Sequence, residues 1–598
     1  MSSILSRLSD EQRAAAETRA AIVRVIAGPG SGKTSTLAGR ATALLLDQNV
    51  SPKCLVCVSF TRKASTELRE RVELSLASSE GQRVAEIACR QITFGTMHSF
   101  CLGIIRAFSS VVGLPENLIV LDEEDAADIR KSLAKRFPSL TGESLDLVYA
   151  KHKVSIGAAD YNDLLLHALA ILQHPIALTW ARARYRYLIY DEFQDIGPAE
   201  YEVIRQIAPR GITICGDPDQ NIYSWRGTAL RFLLGFDQEH KDCETHYLSR
   251  NYRSCSEIVD AASNLISHNR ERLEKPSIAT WSGGSVRAVG FASPSELTGL
   301  FLPGDLWRNW AILARTNRSI EEAEAALRAA DVPVTVLSDN KTFWAKEPVR
   351  LTLAALRFCE SQVYDWALEY MLRSNLFGEV TEVEIAEARL QQVQNRGSLW
   401  SAWCAGEGAG ERVGVSILRR LVADYEAALS IQPVVIAAGA VIDLLQLRAF
   451  YEDAGRTSRA ALLTQLLTRM AGWGADAEPG KGGTRDYLAW AAMRSAQDRH
   501  KATDETVTLS TIHGAKGLEW ENVIIWDADG KHMPLQRKSV DQEEERRLAY
   551  VALTRAKRYA VLGYRVGEQP TSYAKEIQRA AQACELVVDE ESLREGGE

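Results

Sequence analysis

Apolar runs long enough to cross a bilayer are missing from this chain. The longest candidate, Val434–Ile442, stops at Asp443, well short of the roughly 20 residues that a spanning helix needs. The opening stretch, Met1–Glu11, is polar and lacks the apolar core of a secretory signal. Low-complexity tracts and repeat periods are also missing. There is no basic excess: the net charge is −8, so any nucleic-acid binding must come from a local groove and not from a global field. Paired cysteines are scarce. Ten are scattered, and only Cys54-Leu55-Val56-Cys57 has a redox- or metal-like spacing. That pair sits in an apolar run with no second pair after it, and His240, Cys243 and His246 lack a fourth ligand and lead into a predicted strand. Buried thiols in a reducing compartment are the better account. A cytoplasmic protein with no membrane partner is expected.

What is present is ordinary globular composition, 46% hydrophobic and 25% charged, over 598 residues, a length that suggests roughly four folding units. Two stretches alternate short apolar strands with helical patterns, as parallel α/β units do. The first has strands at Ala21–Ala27, Cys54–Ser59, Tyr187–Tyr190 and Gly211–Gly216, with helices starting near Lys33, Lys63 and Ser99. The second has strands at Val286–Phe291, Trp310–Leu313, Val332–Val336, Val507–Ser510, Val523–Trp526 and Ala560–Gly563. A mainly helical segment interrupts each stretch, so the expected class is α/β with two parallel-sheet motor domains, each carrying an insertion.

The chemistry lies at strand ends. Ala27-Gly28-Pro29-Gly30-Ser31-Gly32-Lys33-Thr34 joins a strand to a helix. Backbone N–H groups there can hold phosphates, Lys33 can reach the β/γ-phosphates and Thr34 can ligate Mg²⁺. The strict pattern has Gly where Ala27 stands, and the bland alternative is a plain glycine-rich turn. Asp191 and Glu192 end another apolar strand, the edge where open α/β sheets bind ligands. Asp191 suits a metal ligand and Glu192 a base that orients water, although acids after strands also serve as helix caps. Arg253 and Arg555, far away in sequence, suit the charge that builds on a γ-phosphate, or simply pair with carboxylates such as Glu543-Glu544-Glu545. Ser9-Asp10-Glu11-Gln12 reads as a capping box, while Gln12 also suits contact with an adenine. Phe60, Tyr223 and Trp225 sit near strand ends beside Arg62, Lys63 and Arg226, as a stacking track for bases needs. Taken singly, each of those aromatics reads equally as core.

In this order the motifs resemble those of superfamily 1A DNA helicases of the UvrD/Rep/PcrA type. Leu8–Gln12 resembles the Q motif, and Ala27–Thr34, Asp191–Asp195 and Gly216–Gly227 resemble the first three helicase motifs. Ser59–Ala64 and Gly95–Ser99 resemble DNA-contacting segments, and Leu248–Ser254, Thr511–Trp520 and Glu543–Lys557 resemble the fourth to sixth motifs. The resemblance implies ATP and Mg²⁺ as cofactors, with Thr34 and Asp191 on the metal. It implies that Gln12 reads adenine, Tyr252 stacks on it and Glu519 meets the ribose, while Gln220, Arg253 and Arg555 contact the γ-phosphate. Phe60, Tyr223 and Trp225 would handle successive bases. Further DNA contacts would come from Thr61, Arg62, Lys63, Thr96, His98, Arg226, Arg315, Asn317 and His513.

The implied architecture is a first RecA-like motor domain at 1–121 and 161–245, with a reduced helical insertion at 122–160. A second motor follows at 246–365 and 503–598, with its insertion at 366–502. The implied activity is ATP-dependent 3′→5′ translocation and unwinding on single strands and duplex/single-strand junctions, in repair, recombination or phage defence. The alternative is an ATP-gated DNA-sensing subunit that regulates a protein partner such as a nuclease or repair factor. Departures from the pattern are Ser35, where relatives often carry an adenine-covering arginine, Trp520 for a usual Phe, and the shortness of the first insertion. The chain also ends soon after the motor, so no long C-terminal partner-binding tail and no nuclease motif is expected.

Overall fold

The computed structural model describes residues 7–115, 118–224, 227–301, 306–337, 343–395, 397–405, 412, 414–476, 482–492, 505–535 and 541–578. Trp225 and Arg226 lie outside them. Among the described residues no single helix is long and apolar enough to cross a membrane.

The chain divides into two compact units, one drawing on Met1–Phe100, Pro175–Ser338 and Ser495–Glu598, the other on Cys101–His174 and Asp339–Arg494. The first unit contains two six-stranded sheets in which every pairing is parallel. One runs in the order Thr93–Gly95, Leu55–Val58, Tyr187–Tyr190, Gly211–Gly216, Ile22–Ala27, Glu244–Leu248. The other runs Ser285–Phe291, Ala556–Arg565, Trp520–Trp526, Trp310–Ala314, Val507–Thr511, Val334–Leu337.

Parallel sheets are covered on both faces, so their central strands are continuous apolar runs. Trp310–Ala314 shows how this works. Ala311 and Leu313 enter the core on one face, while Trp310, Ile312 and Ala314 enter the core on the other. Alternate side chains of one strand thus fill two cores, each buried Leu or Ile contributing on the order of 2 kcal/mol.

In the first sheet one strand is additional to the sequence expectation, and one expected near His246 joins this sheet. Thr93–Gly95 is three residues long, half-buried and at the sheet edge, so it carries no apolar run. Glu244–Leu248 is polar and partly exposed, yet it pairs with Ile22–Ala27. The first sheet therefore runs on past the expected boundary at 245. Cys57 lies in Leu55–Val58, where burial pushes its thiol up.

The second unit gathers both of the helical segments. The segments 122–160 and 366–502 share one apolar cluster, in which Ile129, Leu133 and Tyr149 join Leu356, Phe358 and Leu368. Residues 101–121, 161–174 and 339–365 belong to this unit as well. An ion pair ties the two segments: Arg357 Nη1 lies 2.5 Å from Asp125 Oδ2, the side chains being 4% and 1% exposed.

A buried pair that loses one partner leaves an uncompensated charge. Arg357→Met should therefore cost about 3 kcal/mol in this unit, while adding Asp125→Leu should recover much of it. Hydrogen exchange of the helix Glu347–Glu360 reads both effects, and an unchanged exchange rate in the single variant would contradict the ion pair's role.

Candidate active site

The strand Ile22–Ala27 delivers a tight loop, residues 28–32, to the helix Lys33–Leu46. That helix begins at Gly32 without a side-chain cap, so its first N–H groups remain as donors for an anion. Gly30 and Gly32 have φ of 69° and 83°, a region that side chains with a Cβ rarely adopt. Close packing adds a second reason for glycine. A Cβ on Gly30 would lie 2.5 Å from Arg253 Cβ and 2.7 Å from Asn251 Oδ1, and one on Gly32 would lie 2.3 Å from Gln12 Nε2.

The loop is braced from two directions. Asn251 Nδ2 donates to Pro29 O at 3.0 Å and the Tyr252 N–H donates to Gly30 O at 2.9 Å. Ser31 Oγ donates to Gly28 O at 2.7 Å. Gln12 Nε2 donates to Ser31 O at 2.8 Å, while Gln12 Oε1 accepts from the Ser9 N–H at 2.9 Å. Gln12 therefore completes its capping box and touches the loop with the same amide.

The strand Tyr187–Tyr190 ends in the two acids. Glu192 has φ 56° and ψ 43°, a left-handed backbone that non-glycine residues adopt where the surroundings enforce it. The turn brings Glu192 Oε2 to 3.2 Å from Lys33 Nζ and 2.5 Å from Gln194 Nε2. Burial works to raise the Glu192 pKa, but Lys33, Lys516 and the Gln194 amide hold it down to about 2. Asp191 is the reverse case: burial first, then the Glu192 charge, push it up to about 7. A buried carboxylate whose charge is so resisted suits a hard divalent cation. Thr34 follows Lys33 at the start of the same helix, and its hydroxyl is an oxygen donor of the kind Mg²⁺ prefers.

Arg253 follows the short strand Arg250–Asn251, and Arg555 lies between the helix Gln542–Leu553 and the strand Ala556–Arg565. Arg555 is 1% exposed. It donates to Val551 O at 3.1 Å, Leu518 O at 3.1 Å, Gln220 Oε1 at 3.3 Å and Thr554 Oγ1 at 3.3 Å. All four acceptors are neutral. Burial and the Arg253 guanidinium press its pKa down to about 9, which leaves it cationic at neutral pH. Arg253 Nε pairs with Glu519 Oε2 at 2.6 Å, and Lys557 Nζ reaches Glu519 Oε1 at 3.4 Å. The Tyr252 ring is 46% exposed, so it offers a free face. At Ser35, the position of the missing arginine, Arg71 Nη1 donates to the Ser35 hydroxyl at 2.9 Å.

The expected DNA contacts divide. Phe60 and Tyr223 stack on each other at 5.2 Å between centroids. Tyr223 is buried and its hydroxyl donates to His513 O at 3.2 Å, so its ring belongs to the core more than the sequence suggests, while Phe60 keeps partial exposure. Lys63 and Asn317 are exposed, Arg62, Thr96, His98 and His513 are half-buried, and Thr61 caps its helix by accepting from the Ala64 N–H. Arg315 is committed to Glu545, with Nη2 2.8 Å and Nε 3.0 Å from Oε1.

Lys516 is a residue the sequence reading passed over within its motif. Its ammonium donates to Asp195 and, at 2.8 Å, to Gln220 O, and lies 4.9 Å from the Tyr223 ring. Only the Ala515-Lys516-Gly517 motif context could have pointed to it.

Comparison with known proteins agrees along the chain. The description "UvrD/REP helicase N-terminal domain" matches residues 8–146 and 141–241, and "UvrD-like helicase C-terminal domain" matches 246–396 and 449–566. DNA helicase II of Escherichia coli K12 is 28% identical over 643 residues, covering 96% of this chain and 86% of that protein. The ATP-dependent DNA helicase PcrA of Staphylococcus epidermidis is 25% identical over 648 residues, covering 96% and 87%. PcrA of Leuconostoc citreum is 25% identical over 617 residues, covering 92% and 80%.

The close approach at Gly30 generates a prediction. Gly30→Ala should strain the loop by on the order of 1–3 kcal/mol and weaken nucleotide binding about tenfold or more. Titration with a fluorescent ATP analogue measures this, and wild-type affinity would contradict the packing of Arg253 and Asn251 on the loop.

Proposed function

The chain belongs to the UvrD/Rep family of DNA helicases, which are DNA-dependent ATPases, and from that premise we propose that it travels 3′→5′ along single-stranded DNA. The observation that carries the reading of the cleft is Arg555, a buried guanidinium held by neutral oxygens alone among the described residues. Arg253 packs on Gly30 nearby, and Lys33 stands at the start of the loop's helix. A buried guanidinium bonded only to neutral oxygens fits a polyanion, and ATP supplies one, while Lys33 and Arg253 would exchange Glu192 and Glu519 for it.

In this reading Lys33 and the free N–H groups of the loop hold the β/γ-phosphates. Mg²⁺, held by Thr34 and Asp191, would neutralise charge on them. While Lys33 pairs with Glu192, the carboxylate is too weak a base to take a proton. Phosphates that compete for Lys33 release Glu192 to orient the attacking water and accept its proton. Arg555 and Arg253 then meet the charge growing on the γ-phosphate, and the Gln220 side-chain amide oxygen sets Arg555 in place. Tyr252 stacks on adenine and Gln12 reads its edge. Glu519 reaches the ribose only in exchange for its contacts with Arg253 and Lys557. Phe60, Lys63, His98, Asn317 and His513 would follow the single strand, with stacking and charge sharing the binding.

Arg555→Ala should lower kcat for DNA-stimulated ATP hydrolysis by roughly 10³ with a smaller effect on KM, and Glu192→Gln should bind ATP yet fail to turn it over. A change confined to KM in the arginine variant would return Arg555 to simple ATP holding.

Direction and dependence on partners have their own assay. The first insertion supplies only two helices, Glu123–Arg136 and Glu143–Ser155, to the helical unit. Release of a dye from the 5′ end of single-stranded DNA should be efficient, while a single monomer should separate a long 3′-tailed duplex poorly. A protein partner such as a nuclease or repair factor, or several copies, should rescue strand separation. Dye release from the 3′ end alone would reverse the proposed direction.

A further inference from the structure

Four ionisable groups that the mechanism does not use are packed between the two sheets of the first unit. Asp217 and Asp219 follow the strand Gly211–Gly216 and their side chains are 0% and 1% exposed, while those of Lys275 and Arg272 are 5% and 15% exposed. Two neighbouring carboxylates buried this deeply require cations of good geometry. Lys275 Nζ donates to Asp217 and, at 2.6 Å, to Asp219 Oδ2, and Arg272 Nη2 donates to the same Asp219 oxygen at 3.2 Å. Burial opposes the Lys275 charge, but the two carboxylates outweigh it and its pKa is raised.

The remaining contacts of Asp217 lead to the reaction centre. Asp217 Oδ2 accepts from Gln220 Nε2 at 2.8 Å. With the amide nitrogen held there, the amide oxygen must face the other way, and it accepts from Arg555 Nη2 at 3.3 Å. Lys275 also touches the two neighbouring parts. Its Cε lies 3.6 Å from where a Cβ on Gly28 would stand, and its Nζ lies 5.6 Å from the ring of Tyr550, on the helix that leads to Arg555. The segment is anchored as well. The strand Ile278–Ala279, just after Lys275, pairs with Arg250–Asn251, next to the residues that brace the phosphate loop.

We propose that Lys275, with Arg272 beside it, is a positioning residue for hydrolysis: through Asp217 it fixes the amide of Gln220 so that Arg555 is aimed at the γ-phosphate. This rests on the reading of Gln220 and Arg555 as γ-phosphate contacts. A purely structural ion pair would stabilise the fold and leave the chemical step alone, which separates the two roles.

The test uses the full chain with saturating single-stranded DNA. Lys275→Met should lower kcat for ATP about 10- to 100-fold while KM stays within about twofold. In a Gln220→Ala background the same change should cost nothing further, because the residue it positions is gone. Lys275→Arg should restore most of the rate. A wild-type kcat in Lys275→Met, a loss confined to KM, or losses that multiply with those of Gln220→Ala would each overturn the proposal. If Gln220→Ala and Arg555→Ala keep wild-type kcat, the reading of the site falls and this inference with it. If they are slow and Lys275→Met is not, the inference alone falls. Should circular dichroism show Lys275→Met unfolded, Lys275→Leu in a chain that also carries Asp219→Asn takes its place with the same expected results, since it removes the donor to Asp217 and one of the two buried charges.

Discussion

The Asn251 side chain and the Tyr252 N–H donate to the carbonyls of Pro29 and Gly30, and these two bonds tie the phosphate loop to the segment that carries Arg253. The phosphate loop has two surfaces to satisfy. Its N–H groups must stay open toward a nucleotide, so its carbonyls are free to be braced from behind. Asn251 also orders its own neighbours, since its Oδ1 accepts from the N–H groups of Arg253 and Ser254, both at 2.9 Å. One side chain thereby fixes the loop and the arginine that enters the cleft. The close approach leaves no room for a Cβ at Gly30, which makes glycine there a packing requirement as well as a conformational one.

The cleft resolves the conflict between an acidic chain and polyanionic partners. A net charge of −8 gives no long-range attraction for phosphates, so cations are gathered locally: Lys33 and Arg253 each share a carboxylate, and Arg555 has none. Arg555 is bonded to neutral oxygens, while Arg315, Arg272 and Lys275 are each given an acid. Paired and unpaired cations thus mark two classes of position. The unpaired one carries a desolvation cost that pushes its pKa down, and in the proposed mechanism it would meet charge that arrives with the nucleotide. The paired ones hold the loops that carry it.

The sequence made the central strands and the order of the motifs legible because both are local properties. An apolar run such as Trp310–Ala314 declares burial on both faces, and the Gly28–Gly32 turn followed by Lys33 declares an anion site. What it did not show is non-local. Glu244–Leu248 is polar because it is a sheet edge, and only its pairing with Ile22–Ala27 assigns it to the first sheet. The joining of 122–160 with 366–502 depends on side chains more than 200 positions apart, such as Asp125 and Arg357. Tyr223 sits in a polar loop by sequence, yet it packs into the core beside Phe60. Arg272 and Lys275 look like solvated charges in a polar stretch, and only the fold brings buried aspartates to them.

Gln220 is gripped at both ends. Its side chain is set by Asp217 under the charge of Lys275, and its carbonyl accepts from Lys516. Lys516 in turn pairs with Asp195 and lies 5.8 Å from Phe60 and 4.9 Å from Tyr223, the aromatics on the proposed DNA side. Packed groups of this kind switch between discrete arrangements and do not deform smoothly. The aromatic pair is in contact with Lys516, and Arg555 with the Gln220 amide. With both ends of one residue fixed, neither side can rearrange without loading the other. Under the proposed roles of Arg555 and Phe60, ATP turnover and strand movement would meet at this one residue.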